Sequence, residues 1–341
     1  MPTCLLLVLL LSPPLDVRPG PYPPLTYPCA RATTGVTVDG HLDDPAWETA
    51  PWTEDFGDIE GDRKPAPRFR TRAKLLWDDR CLYIAAELEE PHLWATLRER
   101  DSIIFHDNDF EVFLDPDGDS HLYTEIELNA LNTVWDLLLV KPYRDGGPAI
   151  HAWDIPGLQT AVHLDGTLND PSDEDRGWTL EMAVPFSVLD ETTDAACPPH
   201  TGDRWRLNFS RVQWRLDMAH GAYAKTADPR TDKPLPEDNW TWSPQREIAM
   251  HEPEYWGVVE FVEEVEGPVA MTAADRAAWE LRQAGHRLLA WREAHGGYPQ
   301  EFDTPEGMTY WTDGRRYVLT LEADGVTLEL DQTGRLRPLS D

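Results

Sequence analysis

The sequence predicts a mainly β protein, an antiparallel β-sandwich of jelly-roll or immunoglobulin-like type with a small C-terminal α+β extension. Three observations carry that reading. Short apolar runs recur between turn residues, as in TTGVTVDG, NDFEVFLDP, HLYTEIELNAL, GWTLEMAVP and YWGVVEFV. DG, GD and DD pairs close many of them, the punctuation of short strands packed as two sheets that each bury one face. Helical periodicity is scarce until about residue 270 and begins there.

The chain opens with MPTCLLLVLLLSPPLDV, whose apolar run at 4–11 is too short to cross a bilayer and suits the core of a signal peptide. Residues 1–17 are therefore read as a signal peptide, and the protein is expected to be secreted, periplasmic or held at the cell surface. The proline-rich stretch 18–28 is expected to be a linker or an extended strap. The sandwich is assigned to 29–265. Within it HLDDPAWETA and VPFSVLDE are short helical turns, the second with Pro185 ahead of Phe186 and Leu189. Without the leader three cysteines remain, Cys29, Cys81 and Cys197, with no CxxC spacing. A Cys29–Cys197 disulfide and three isolated thiols both fit. Past Gly267 and Pro268 a helix is expected, capped by Thr272, with apolar positions at Ala277, Leu281, Leu288 and Trp291 and an end at Gly296 and Gly297. Three alternating strands joined by DG and TG turns complete the extension, residues 270–341.

With 62 acidic against 30 basic side chains, the net charge of -32 repels polyanions, so nucleic acid is not an expected partner. Hydrophobic residues still make up 41% of the chain, enough for a folded core.

The chemistry concentrates in HDNDFEVFLDPDGDSHLYTEIELNALNTVWD, residues 106–136. The two-residue period of a strand puts Tyr123, Glu125, Glu127 and Asn129 on one face and Thr124, Ile126 and Leu128 on the other. In the preceding strand Phe110, Val112 and Leu114 face inward, and Asp109, Glu111 and Phe113 face outward. If the strands are neighbours, Asp109, Glu111, Glu125 and Glu127 form one polar field on an outer sheet surface. Three readings follow. Two carboxylates about 5–9.5 Å apart are the acid and base of glycoside hydrolysis. Alternatively the carboxylates accept hydrogen bonds from sugar hydroxyls beside a stacking aromatic. The third reading is a solvated face, partly neutralised by Arg68, Arg70 and Arg72. Same-face Cβ atoms of Glu125 and Glu127 lie roughly 6.5–7 Å apart along a strand, which neither excludes nor selects hydrolysis.

Fifteen tryptophans favour binding. Trp135, Trp214, Trp240, Trp242 and Trp256 adjoin polar or turn residues, with Trp135, Trp214 and Trp242 the candidate platforms for a pyranose ring, while Trp47 and Trp178 are assigned to the core. Asp115, Asp117 and Asp119 in DPDGDS alternate like calcium ligands, yet Ser120 and Ile126 stand where an EF-hand needs glycine and glutamate. The turn is either a non-EF structural calcium site or a hydrophilic hairpin tip; binding itself requires no cofactor.

The ordered set VDGHLDDPAWETA, AKLLWDDRCLYIAAELEEP, NDFEVFLDPDG with YTEIELNALNTVWD, RGWTLEMAVPFSVL and GDRWRLNFSRVQW resembles the family 9 carbohydrate-binding modules and the family-9-like domains of secreted bacterial proteins. The resemblance spans residues from about 30 to 262. It implies an antiparallel sandwich that grips sugars between tryptophans, with amides and carboxylates around them and structural calcium in some members. The positions that match locally are Asn108, Asp109, Glu111, Glu125, Glu127, Asn129, Asn132 and Trp135. The tail WSPQREIAMHEPEYWGVVEF resembles the closing portion of such domains, which would bring Trp242, Gln245 and His251 near a sheet edge. The expectation is a secreted or surface glycan-binding protein working with cell-surface or polysaccharide-processing partners. The alternatives are a carbohydrate-active enzyme using Asp109, Glu111, Glu125 and Glu127, and a structural cell-surface sandwich.

Overall fold

The computed structural model describes residues 24–219 and 221–339. The expected signal peptide, 1–17, lies outside the described residues. Two compact units are present, Pro24–Met271 and one containing Thr272–Asp341.

The strands of the first unit are, in order, β1 (Thr26–Arg31), β2 (Gly57–Asp58), β3 (Thr71–Trp77), β4 (Cys81–Glu89) and β5 (Asp109–Asp115). They continue with β6 (Tyr123–Asn129), β7 (Val134–Leu139), β8 (Ala149–Ile150), β9 (Gln159–Asp165) and β10 (Gly177–Pro185). After the one-turn helix α1 (Phe186–Leu189) come β11 (Arg204–Gln213), β12 (Leu216–Ala219), β13 (Ala222–Lys225), β14 (Asp238–Thr241) and β15 (Gly257–Val262). One mixed sheet runs β8-β7-β6-β5-β11-β15-β1-β3-β4-β10-β9, with β14 and β2 branching from β11, and β12–β13 form a separate hairpin. The pairing is antiparallel except at β1, which lies parallel to both β15 and β3.

A sheet this wide cannot stay flat while one face is apolar, because its twist brings the halves together. Leu75, Ile84 and Met182 from one half and Val112, Ile126 and Phe209 from the other accordingly belong to a single buried cluster. β1 joins the halves. Its sequence TYPCAR turns Tyr27 and Cys29 into that core, so the stretch expected to be a linker over 18–28 becomes a central strand from Thr26 onward. Pro28, which has no N–H to donate, is tolerated because pairing with β3 begins only at Ala30. Trp47 and Trp178 are buried, and Trp47 donates its indole N–H to Glu181 Oε1 at 2.7 Å. All three cysteines are free thiols, so the candidate Cys29–Cys197 bridge is absent.

The outer face of β5, β6 and β7 differs most from expectation. It carries Phe113, Tyr123, Trp135, Leu137 and Leu139, and these pack with Ile104 and Trp256 into a second apolar cluster. Segments around 104 and 250–256 cover a surface that alternation alone assigned to water. Alternation reports which side chains share a face and says nothing about what lies over it.

In the second unit α2 (Ala273–His295) starts with the Thr272 hydroxyl accepting from the Asp275 N–H while the Asp275 carboxylate accepts from the Thr272 N–H. Gly296, at φ 78°, ends it. Ala277, Leu281 and Leu288 pack against the sheet, whereas Trp291 is exposed and stacks on His295. Four strands follow where three were expected: β16 (Thr309–Thr312), β17 (Tyr317–Ala323), β18 (Val326–Asp331) and β19 (Leu336–Leu339). Asp324 and Gly325 both take positive φ, the conformation of a two-residue hairpin turn.

Candidate functional site

The register of β5, β6 and β7 pairs Asp109 with Asn129, Glu111 with Glu127 and Phe113 with Glu125, and Glu127 with Trp135 in turn. The sequence-predicted residues are therefore brought together, but beneath a cover. Asp109, Glu111, Glu125, Glu127, Asn129 and Trp135 are all at most 6% exposed. Burial drives the carboxyl pKa values upward: Glu111 to about 7, against the pull of a neighbouring Ser210 hydroxyl, and Asp109, Glu125 and Glu127 well above the ordinary range, with mutual repulsion adding to desolvation. His251 Nε2 lies 3.9 Å from Glu125 Oε2, and burial lowers its pKa to about 4, so it brings no cation to the group.

The amides are committed to the fold. Asn129 donates to the Leu97 carbonyl and to Asp107, and its side-chain oxygen accepts from the N–H groups of Leu131 and Thr133. Asn132 is exposed and donates to the Thr160 carbonyl. Trp242 is 1% exposed in the main core, its indole N–H bonded to Glu54. Trp135 and Trp242 are thus closed to solvent, contrary to the platform role expected for them. Asp115, Asp117 and Asp119 hold oxygens within 4.8 Å of one another, a donor set that a structural metal could use, although each also accepts a backbone N–H, from Ser120, Asp194 and His121 respectively.

Open chemistry lies elsewhere, at one end of the sandwich. The inward-facing series of β11 runs Trp205, Leu207, Phe209 in the core and then turns polar at Arg211 and Gln213. That of β4 runs Ile84, Ala86, Leu88, and the same alternation continues to Glu90. Arg211 Nη2 and Glu90 Oε2 meet at 3.0 Å with both side chains buried. Arg211 also donates to Thr71 Oγ1 and Gln213 Oε1, while Asn108 Nδ2 donates to Glu90, so every strong group of this buried pair is satisfied. Desolvation lowers the Arg211 pKa, and Glu90 acts against that shift.

Above this polar floor is an open cleft of about 540 Å³. Its walls include Phe69, Trp214 and Trp240, with Gln213, Asn239 and Arg68 between them and the exposed Ile248 at the rim. Trp214 is half-buried and fixed on two sides: its backbone N–H donates to Asn108 Oδ1 and its indole N–H to the Phe105 carbonyl. Lys225 from the β12–β13 hairpin sits 3.3 Å from the ring centroid. The cations that line the cleft are paired within it, Arg68 and Arg215 with Asp238 and Lys64 with Glu60.

Of the tryptophans expected to bind, Trp214 is the one in this cleft. Phe69, Glu90, Arg211, Gln213 and Asn239 were not singled out as binding residues. The available signal was a charged residue on the inward phase of an otherwise apolar strand, as at Arg211 in RWRLNFSRVQ.

The family model for carbohydrate family 9 binding domain-like proteins matches residues 38–264, and the chain belongs to that family. Among solved structures, the chain is similar to a candidate carbohydrate-binding protein from Bacteroides uniformis, with 16% identity, a TM-score of 0.50 and coverage of 70% of this chain and 99% of that one. Two further matches are complexes of a family 9 module from Caldicellulosiruptor kristjanssonii. That with cellotriose has 17% identity, a TM-score of 0.45 and coverage of 72% and 97%; that with glucose has 17%, 0.44, 72% and 100%. No curated protein matches.

Proposed function

We propose that this protein binds an oligo- or polysaccharide in the cleft at the end of the sandwich, holding it by Trp214 and Phe69 and by a hydrogen bond to Asn239, above a floor shaped by Glu90 and Gln213. The observation that carries the reading is the cleft itself, where aromatic walls stand over amides and a carboxylate that a buried ion pair holds in place. A pyranose offers an apolar C–H face and a ring of hydroxyls, and this combination answers both. Membership of a carbohydrate-binding-like family supports the same class of ligand. Because the cations lining the cleft are already paired with its own carboxylates, and the chain carries a charge of -32, neutral sugars suit it better than acidic ones. The amino-terminal apolar run supports export to the periplasm, cell surface or medium, where such a ligand is found.

The hydrolytic alternative requires Asp109, Glu111, Glu125 or Glu127 to reach a glycosidic bond, and their burial argues against that. The experiment is a titration against neutral and acidic oligosaccharides with mass analysis of the same samples. Saturable binding of a neutral sugar with its mass unchanged is expected, whereas shortened or unsaturated products would move the reading to an enzyme.

A further inference from the structure

The cleft holds one imidazole whose proton the neighbouring groups fix. His92 lines the cleft, half-buried, two residues past Glu90 where the chain leaves β4. Its backbone N–H donates to Glu90 Oε1 at 3.1 Å, so the carboxylate that pairs with Arg211 also holds His92 at the sheet end. Its ring packs on Tyr223 of β13, with centroids 5.6 Å apart. The Tyr223 hydroxyl lies 3.3 Å from His92 Nδ1 and 3.2 Å from the Asp170 carbonyl oxygen.

These two distances decide a tautomer. A phenol hydroxyl has one proton to give, a carbonyl oxygen can only accept, and a neutral imidazole carries its proton on one nitrogen. Both contacts are hydrogen bonds only if Tyr223 donates to Asp170 and His92 Nδ1–H donates to Tyr223. Burial, with Asp175 and Asp173 adding to it, pushes the Tyr223 pKa up to about 12, so the hydroxyl keeps that proton. Nε2 is then left with a lone pair, and among the described residues nothing donates to it.

We propose that His92 Nε2 accepts a hydrogen bond from a sugar hydroxyl in the cleft, and that Tyr223 is the positioning residue that sets the tautomer. The inference rests on the cleft reading and deepens it. A neutral acceptor holds a hydroxyl without adding charge to an acidic molecule, and it demands a free hydroxyl, because a methyl ether at that place leaves the lone pair unpaired.

The test uses the full chain. The tautomer is read first, without sugar, from the nitrogen shifts of His92 in a multiple-bond ¹H–¹⁵N spectrum at about pH 8, where an ordinary imidazole is neutral. The signal is assigned by its loss in His92→Leu. The expected form is Nδ1–H in the wild type, with a mixture richer in Nε2–H in Tyr223→Phe; a wild-type ring in the Nε2–H form would overturn the proposal. Cellobiose, xylobiose and mannobiose are then titrated into the wild type, His92→Leu, Tyr223→Phe and Trp214→Ala, with Tm recorded for each. Affinity should fall about ten-fold in His92→Leu, one hydrogen bond's worth, and by less in Tyr223→Phe, at nearly unchanged Tm. Undiminished affinity in His92→Leu beside a loss in Trp214→Ala would remove His92 and leave the cleft reading standing. Undiminished affinity in both would remove the two together.

Discussion

At the scale of single residues, the same side-chain type has opposite duties according to the strand phase it occupies. Trp242 lies among Tyr27 and Phe209 in the main core, and Trp242→Ala should cost about 3–5 kcal/mol in unfolding free energy, read by denaturant titration. Arg211 is polar and equally enclosed. Arg211→Met strands the Glu90 carboxylate without its cation, so a loss of about 3–5 kcal/mol is expected, while Arg211→Met combined with Glu90→Gln should recover part of it. Neither role is legible locally: Trp242 in DNWTWSP reads as a platform beside turn residues, and Arg211 is not singled out. Facing was legible in the carboxylate strands, where Ile126 and Leu128 do enter the core and Glu125 and Glu127 do oppose it. Their accessibility was not, because Ile104 and Trp256, which close that face, come from distant parts of the chain and leave no mark on the period of β6.

At the scale of elements, β1 shows how little of a strand's importance resides in its composition. TYPCAR follows a proline-rich stretch and has no long apolar run, yet it is the parallel strip between β15 and β3 on which closure of the sheet depends. A chain beginning at Ala32 should therefore fail to give a cooperative unfolding transition by circular dichroism, whereas one beginning at Pro24 should unfold as the full chain does. The C-terminal helix was legible for the converse reason. Thr272, Asp275 and Gly296 determine its ends through bonds made within a few residues, and such bonds can be read without knowing the rest of the fold. Parallel pairing of strands more than two hundred residues apart, as between Thr26 and Val258, is non-local and cannot be read that way.

At the scale of the whole molecule, the charge of -32 is a uniform repulsion over a surface with few cations, many of them already in ion pairs such as Arg70 with Glu87 and Arg176 with Asp165. Screening should relieve it. Raising NaCl from low to physiological strength is expected to raise Tm, and a fall would show that the surface ion pairs outweigh the general repulsion. A cleft whose lining cations are already paired should bind neutral sugar with little salt dependence.

The most direct test of sugar binding at the cleft is a calorimetric titration of a neutral oligosaccharide into the wild type and Trp214→Ala, with both proteins' Tm recorded. The expected result is saturable binding by the wild type and a loss of about 2 kcal/mol, roughly thirty-fold in Kd, in the variant at nearly unchanged Tm. Equal affinity in the two proteins would contradict the assignment and move any sugar site away from the cleft.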